Sequence, residues 1–197
     1  MTASLAVIVA GGAGRRMGAD KALLEWDGET LLARAARLGR QAGLTVAVAG
    51  RSMPADWPYP DVAFAPDDVP GAGPLGGLAS ALSRWRPACA LALACDMPLL
   101  DPQTLRWLAD SGDLAAEARD GVALIDSTGQ IQPLASLYSL RALPHMQRRL
   151  AEGRRSLVGL IEYGNFARRT APEWVSEMLA SANTPEEWAE LRVRAGA

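Results

Sequence analysis

Short apolar runs of β-branched and small residues recur through the first half of the chain, and each is bounded by glycine, proline or acidic residues. Such runs predict strands that are buried on both faces of a sheet. The predicted strands span residues 4–9, 45–49, 62–65 and 88–94. A brief extended piece over residues 23–26, turned by Asp27 and Gly28, is predicted before the first helix.

Amphipathic segments lie between these runs. From Glu29 to Ala42 apolar residues recur at helical spacing, and Gly43 predicts the end of that helix. The stretch 70–77 is too rich in glycine and proline for a regular element, so the next helix is predicted only over 78–85. A further helix is predicted after Asp101-Pro102, with Asp as N-cap and Pro at the first helical position. This alternation favours a mostly parallel sheet with helices on both faces.

The second half of the chain is less regular. Runs over 121–126 and 131–138, around Thr128-Gly129, predict a hairpin that extends the sheet. The remaining predicted helices are 140–150, 157–163 and one from Pro185, which Thr184 and Glu187 open with a capping box. No repeat or long linker divides the sequence, so we expect residues 1–197 to form one Rossmann-like α/β domain.

Composition limits the possible functions. The chain is 49% hydrophobic and 21% charged, as expected for a globular protein with a substantial core. A net charge of -2 argues against an extended nucleic-acid surface. Cys89 and Cys95 lie too far apart along one predicted strand to form a disulfide. With neither a signal-peptide pattern nor an apolar run long enough to cross a bilayer, we expect a cytoplasmic protein without nucleic-acid or membrane partners.

A glycine-rich loop over residues 10–21 follows the first predicted strand. Ligands of open α/β sheets bind beyond the carboxyl ends of strands, where glycines let backbone N–H groups approach phosphate oxygens. Arg15, Arg16 and Lys21 match a polyphosphate in charge, and Lys21 is the only lysine among the twenty basic residues. The loop fits neither a Walker loop nor the dinucleotide fingerprint. It predicts a phosphate site of another kind, with a solvated surface loop as the alternative.

Two acidic positions follow other strands at the same predicted edge. Asp96 comes directly after the most apolar run, and because Asp101 already caps the next helix, Asp96 is left for another role. A carboxylate there suits Mg²⁺, which is held by one or two carboxylates plus phosphate oxygens. Asp67 and Asp68 precede the glycine-rich stretch 71–77, where a carboxylate accepts hydrogen bonds from a base or ribose. A surface turn is the alternative for this pair.

Other candidates carry weaker signals. Cys95 has no base near it in the sequence and is not predicted to be a nucleophile. His145 lies in a predicted helix beside Arg148 and is expected on the surface or in packing. Arg155 either meets a second phosphate or ends a helix in solvent.

Five short motifs occur in order from residue 5 to near residue 190. They are Ala10-Gly11-Gly12 with Arg16-Met17-Gly18 and Lys21, Gly73-Pro74-Leu75-Gly76-Gly77, Cys95-Asp96-Met97-Pro98, Gln132-Pro133-Leu134 with Leu137-Tyr138, and Asn183-Thr184-Pro185-Glu186-Glu187. The first motif alone resembles nucleotidyltransferases of the sugar-nucleotide type. Together, the motifs resemble the molybdenum cofactor guanylyltransferase family.

The resemblance implies a Rossmann-like fold and transfer of GMP from GTP to molybdenum-loaded molybdopterin, with Mg²⁺ as cofactor and release of pyrophosphate. The resemblance implies nucleotide contacts at Val9, Ala10, Gly11, Lys21 and, on the guanine side, Asp67. We also expect Gly12, Arg15 and Gly76 to contact the nucleotide. Implied catalytic residues are Lys21, Arg16 and Asp96, with Asp96 as metal ligand. Predicted acceptor contacts are Gln132, Arg155 and Asn183. Molybdoenzymes or cofactor-assembly proteins are expected as further partners.

The first loop reads Ala-Gly-Gly, which favours GTP, whereas CTP-using relatives usually carry Ala-Ala-Gly. The chain departs from the family pattern at two places. Val48-Ala49-Gly50 stands where asparagine is common, and Ser181 stands where the last motif often has its first asparagine. Three alternatives stay open. They are a cytidylyltransferase acting on the same pterin, a nucleotidylyltransferase for a sugar 1-phosphate or another phosphorylated small molecule, and a non-catalytic nucleotide-binding protein of cofactor assembly.

Overall fold

The structure is a computed structural model that describes residues 3–11, 20–69, 71–110, 118–182 and 184–196. Its strands are β1 (Leu5–Val9), β2 (Glu25–Trp26), β3 (Glu29–Thr30), β4 (Thr45–Ala49), β5 (Ala63–Ala65), β6 (Cys89–Ala94), β7 (Gly121–Ile125), β8 (Leu137–Ser139) and β9 (Phe166–Thr170). Its α-helices are α1 (Leu31–Gln41), α2 (Gly73–Trp85), α3 (Pro102–Ala109), α4 (Ala142–Ala151), α5 (Leu157–Tyr163), α6 (Glu173–Met178) and α7 (Pro185–Ala195).

Across the described ranges, seven strands form one sheet in the order β5-β4-β1-β6-β8-β7-β9. All of them run the same way except β8, which pairs antiparallel with both β6 and β7. The chain passes from β1 to β4 and β5 on one side, and then to β6 on the other side of β1. Such a reversal opens a crevice beyond the carboxyl ends of the two central strands, the usual ligand site of this architecture.

Helices cover both faces of the sheet because alternate side chains of each strand point to opposite sides. One face carries Ala6, Ile8, Val46, Val48, Leu91 and Leu93, and it packs against α1, α3 and α6. The other face carries Val7, Val9, Ala47, Ala49, Ala90 and Ala92, and it packs against α2, α4 and α5. Each fully buried leucine or isoleucine contributes roughly 2 kcal/mol to stability.

A small third cluster lies beside the crevice. The two-residue strands β2 and β3 form a hairpin whose turn, Asp27-Gly28, has positive φ at both residues, 52° and 79°. Trp26 of this hairpin forms a buried cluster with Leu31 of α1, with Ala182 and with Leu191 of α7. None of the helices in the described part of the chain is both long and apolar enough to span a bilayer.

The predicted α/β class, with a mostly parallel sheet and helices on both faces, is confirmed. The start of α2 was predicted wrongly: the helix begins at Gly73, within the stretch expected to be irregular. Pro74 falls in the first turn, where a missing N–H costs no hydrogen bond. The glycines allow the helix to approach its neighbours closely, and they do not break it.

The second half needed two further corrections. The predicted strand 131–138 is interrupted: Ile131 makes a single bridge to Ile125, Pro133–Ala135 forms a 3-10 turn, and only Leu137–Ser139 is a strand. Pro133 has no N–H to donate to a ladder, which explains the interruption. Strand β9 and helix α6 were not predicted, since β9 lies at a sheet edge and carries Arg168 and Arg169 in place of an apolar run.

Candidate active site

Lys21 and Asp96 meet at the crevice although 75 residues separate them. The Lys21 Nζ donates to Asp96 Oδ2 at 3.0 Å and to the Ala182 carbonyl at 2.8 Å. Asp96 follows β6, and the Pro98 carbonyl accepts from Arg34 Nε at 2.9 Å, which ties this loop to α1. The side chains of Lys21 and Asp96 are 19% and 21% exposed, so the pair lies at the edge of solvent. The structure thus unites the two residues that the sequence assigned to phosphate and metal.

A bidentate ion pair holds the backbone immediately before Lys21. Asp20 accepts from Arg51 through both carboxylate oxygens, with Oδ2 at 2.8 Å and Oδ1 at 3.4 Å. Asp20 Oδ1 also accepts from the Ala22 N–H at 3.1 Å and so caps the 3-10 turn of Lys21–Leu23. Arg51 lies two residues beyond the end of β4, so the pair fixes this turn to the sheet. Sequence reasoning missed the pair because nothing in the pattern links Asp20 to Arg51.

Asp67 lies over glycines from three separate elements. A Cβ added at Gly11, Gly50 or Gly77 would approach an Asp67 carboxylate oxygen to 3.0, 3.3 or 3.1 Å, respectively. Gly11 follows β1, Gly50 follows β4, and Gly77 lies in the first turns of α2. They form a floor without side chains beneath the carboxylate, at the same edge as Lys21 and Asp96.

The Asp67 carboxylate has unused hydrogen-bonding capacity. Its Oδ1 is shielded from solvent and has no hydrogen-bond partner within the described ranges. Burial, and then the neighbouring charge of Asp68, raises the pKa of Asp67 above the ordinary carboxyl value. A shielded acceptor without a partner is costly in a folded protein, which makes it a natural contact for a ligand N–H group.

At the end of β4 the sequence lacks the asparagine that is common in the family it resembles. The backbone N–H of Gly50 is not free to replace that side chain. The Gly50 N–H donates to the Ala65 carbonyl at 2.8 Å, and φ at Gly50 is 93°. Its backbone therefore completes the sheet edge and packs directly against the backbone of Gly11.

The predicted acceptor contacts that the structure describes lie near this edge. Arg155 Nη1 donates to the Gly71 carbonyl at 2.8 Å, which brings the loop before α5 to the start of α2. Gln132 Nε2 donates to Asp126 Oδ2 at 2.6 Å, just beyond the end of β7. Gly76 lies in α2, where its bare Cα faces the side chain of Ala72. The roles of these residues in binding stay predictions.

Four predicted site residues fall outside the described residues: Gly12, Arg15, Arg16 and Asn183. Val9, Ala10 and Gly11 lead into that loop. The Ala10 N–H donates to the Ala49 carbonyl at 2.9 Å, which extends the β1–β4 ladder by one bond. The chain therefore leaves the sheet toward the predicted phosphate loop at Gly11, beside Gly50 and Asp67.

Asp96 offers Mg²⁺ one carboxylate at the crevice. No group of three or more His, Cys, Asp or Glu side chains that could hold a metal occurs among the residues described. A single carboxylate such as Asp96 suits Mg²⁺, which keeps several waters and takes substrate phosphate oxygens as ligands. Burial raises the pKa of the neighbouring Cys95 thiol to about 12, which disfavours the reactive thiolate. His145 is paired with Arg148, 3.1 Å from its Nδ1, at the protein surface.

A mostly parallel sheet with a lysine, an aspartate and a glycine floor at its switch point defines a nucleotide-binding α/β protein. The family of the MobA-like NTP transferase domain matches residues 6–187. The chain belongs to this family and is a nucleotidyltransferase.

The chain is similar to proteins named molybdenum cofactor guanylyltransferase. A protein of Opitutus terrae named "Probable molybdenum cofactor guanylyltransferase" is 35% identical over 188 residues, 91% of this chain and 90% of that protein. The molybdenum cofactor guanylyltransferase of Pseudomonas putida is 37% identical over 158 residues, 77% of this chain and 78% of its own. The crystal structure of molybdopterin-guanine dinucleotide biosynthesis protein A from Archaeoglobus fulgidus has a TM-score of 0.78, 21% identity and 98% coverage of both chains, and so shares the fold.

Proposed function

We propose that this protein transfers GMP from GTP to molybdopterin that carries molybdenum, and releases pyrophosphate. The observation that carries the proposal is the position of Asp67. Its partnerless oxygen lies over a floor of glycines at the same sheet edge as the Lys21–Asp96 pair. One edge thus offers a base-binding carboxylate beside a phosphate-binding lysine. The names of the relatives at 35% and 37% identity agree with this assignment.

Asp67 suits guanine better than cytosine. Guanine presents two adjacent donors, N1–H and the exocyclic amine, and a carboxylate accepts both at once. Cytosine presents one amine beside an acceptor nitrogen, which a carboxylate repels. The absence of side chains at Gly11, Gly50 and Gly77 makes room for the Asp67 carboxylate at this edge, since a Cβ at any of them would press against it.

The phosphate chemistry needs positioning and charge more than proton transfer. The terminal phosphate of the acceptor attacks the α-phosphorus of GTP, the bond to the bridging oxygen breaks, and pyrophosphate leaves in line. A phosphate nucleophile is already ionised at pH 7, so no general base is required. Lys21 and Arg16 stabilise the charge on the α-phosphate and on the departing pyrophosphate. Asp96, with the nucleotide phosphates, would hold Mg²⁺, which supplies further neutralisation of phosphate charge.

The acceptor lies on the β7 side of the crevice in this account. Arg155, on the Gly71 carbonyl, reaches the edge of the nucleotide site, and Gln132 lies beyond β7. With Asn183, these residues would contact the pterin and its phosphate. The reaction belongs to the cytoplasm, where a molybdoenzyme or cofactor-assembly protein would receive the product.

The test is pyrophosphate release from GTP and from CTP, with Mg²⁺, in the presence and absence of molybdate-loaded molybdopterin. Release from GTP alone, and only with the pterin, supports the proposal. Release from CTP would retain the mechanism and overturn the role of Asp67. No release from folded protein that still binds GTP would favour the binding-protein alternative.

A further inference from the structure

The C-terminal part of the chain contacts the candidate catalytic lysine directly. Lys21 Nζ donates to the carbonyl of Ala182 at 2.8 Å, across 161 residues of sequence. Ala182 is 1% exposed, so its backbone is held inside a packed cluster and does not fray into solvent. The ammonium is thereby directed by acceptors that include Asp96 and Ala182, which belong to distant parts of the chain.

Packing on the β2–β3 hairpin fixes the position of Ala182. Helix α7 begins where the Thr184 hydroxyl accepts from the Glu187 N–H at 3.2 Å. One turn further along, the ring of Trp188 meets Trp26 edge-on, with centroids 5.1 Å apart and planes at 84°. Trp26 is 1% exposed, and it shares its cluster with Leu191 and Ala182. Such edge-to-face pairs contribute about 1 kcal/mol beyond area burial.

A second contact attaches α7 to the β2–β3 hairpin, next to the turn that contains Lys21. Arg192 Nη2 donates to the Glu25 carbonyl at 3.0 Å, and its guanidinium carbon lies 5.4 Å from the centre of the Trp26 ring. The hairpin that contains Glu25 and Trp26 follows the Lys21 turn after one residue. The same helix therefore holds the hairpin next to the Lys21 backbone and the carbonyl that binds the Lys21 side chain.

We propose that Ala182 and α7, here called the C-terminal buttress, position the Lys21 ammonium for catalysis. Lysine is a flexible four-carbon stem that ends in a point charge, so its direction is set by the acceptors around it. Trp188 and Arg192 are positioning residues that act through the Ala182 carbonyl and the hairpin. The consequence for turnover rests on the proposed function; the consequence for the geometry of Lys21 does not.

The first test therefore does not involve turnover. Lys21 is the only lysine of the chain, so an amine-acylating reagent labels it and the α-amine alone, and peptide mass spectrometry gives its rate. Trp188→Ala should raise the labelling rate of Lys21 by about threefold or more, since the buttress then opens locally. Trp57→Ala is the matched control, because half-buried Trp57 makes the same kind of contact with Phe64, at 5.0 Å, in another cluster. Equal rates in wild type and Trp188→Ala would overturn the proposal.

The second test separates positioning from stability. Trp188→Ala should lower kcat by roughly 10- to 100-fold with KM for GTP nearly unchanged, because a misplaced group is felt mainly in the transition state. Trp188→Phe should retain most of the rate. In a Lys21→Ala background, Trp188→Ala should cost nothing further. An equal loss in both backgrounds would contradict the buttress.

Arg192→Met, which keeps the aliphatic stem, should shift labelling and kcat in the same direction and serves as the test if Trp188→Ala does not fold. Wild-type-like values for Arg192→Met in both measurements would then overturn the proposal. Absence of GMP transfer in the wild type would refute the proposed function, while the labelling comparison would still decide on the buttress.

Discussion

The backbone of Gly50 lies so close to Gly11 that a Cβ at Gly50 would come within 2.5 Å of both the N and Cα of Gly11. The φ of Gly50 is 93°, a backbone conformation that residues with a Cβ rarely adopt. This contact joins the ends of β1 and β4 at the start of the predicted phosphate loop. It also forms part of the floor beneath Asp67.

Gly50→Ala should therefore destabilise the protein by about 3 kcal/mol, since the strain of a left-handed backbone adds to a backbone clash. Gly129→Ala is the matched control. Its φ is 87°, but nothing lies within 4 Å of the added Cβ, so it carries the strain alone. We expect about 1 kcal/mol for Gly129→Ala. Urea unfolding measures both, and equal losses would show that the Gly11–Gly50 contact is looser than described.

Asp67→Asn should weaken the use of GTP selectively. The amide keeps the shape of the side chain but replaces one acceptor with a donor, which opposes guanine N1–H or the amine. We expect KM for GTP to rise roughly 10- to 100-fold, while that for CTP changes little. Asp68→Asn, next to it and exposed, should leave both unchanged. Steady-state kinetics with the two nucleotides distinguish these outcomes, and a parallel loss for GTP and CTP would remove Asp67 from base recognition.

The same substitution should change the pH dependence of stability. Burial and Asp68 raise the pKa of Asp67 in the folded protein, so the folded state binds this proton more tightly than the unfolded state does. The carboxyl therefore contributes stability below its ordinary pKa and loses it as the pH rises through the folded value. Asp67→Asn lacks this loss, so the free energy of unfolding of the variant should rise relative to that of the wild type as the pH increases above the ordinary carboxyl pKa of about 4. Urea titrations at several pH values measure the difference, and a constant difference would contradict the raised pKa.

Lys21→Ala should lower kcat by about 100-fold or more, since it removes a positive charge aimed at the reacting phosphates. Stability should change by only about 1 kcal/mol or less, because the Lys21–Asp96 pair is partly exposed. Arg40→Ala, which breaks the exposed pair with Asp61 at the far end of α1, controls for the loss of a surface ion pair. Turnover and melting temperature give the comparison. Near-normal turnover of Lys21→Ala would exclude the lysine from the mechanism.

The sequence predicts the sheet of the first half well because each strand is a short apolar run between breakers. Strand β4 occurs over the predicted residues, and β1, β5 and β6 begin one residue later than predicted. The errors fall where local composition misleads. Gly73 and Pro74 are typical of a break between elements, but they lie in the first turn of α2. Strand β9 lies at the sheet edge, and its arginines remove the apolar pattern that would predict a strand.

The site was only partly predictable for a related reason. Residues that follow strands, such as Asp67 and Asp96, are placed at one edge by the parallel topology alone. The Asp20–Arg51 pair and the Ala182 carbonyl depend on side-chain and backbone contacts between distant segments. A backbone carbonyl has no signature in sequence, since every residue carries one.

The central claim is that the α-phosphate of GTP moves to the pterin. The most direct measurement follows GTP labelled at the α-phosphorus, incubated with the protein, Mg²⁺ and molybdate-loaded molybdopterin. The account predicts that the label appears in a pterin dinucleotide, that label at the γ-position appears in pyrophosphate, and that unlabelled CTP competes poorly. Label that stays in free nucleotide, or transfer that CTP supports better than GTP, would contradict it.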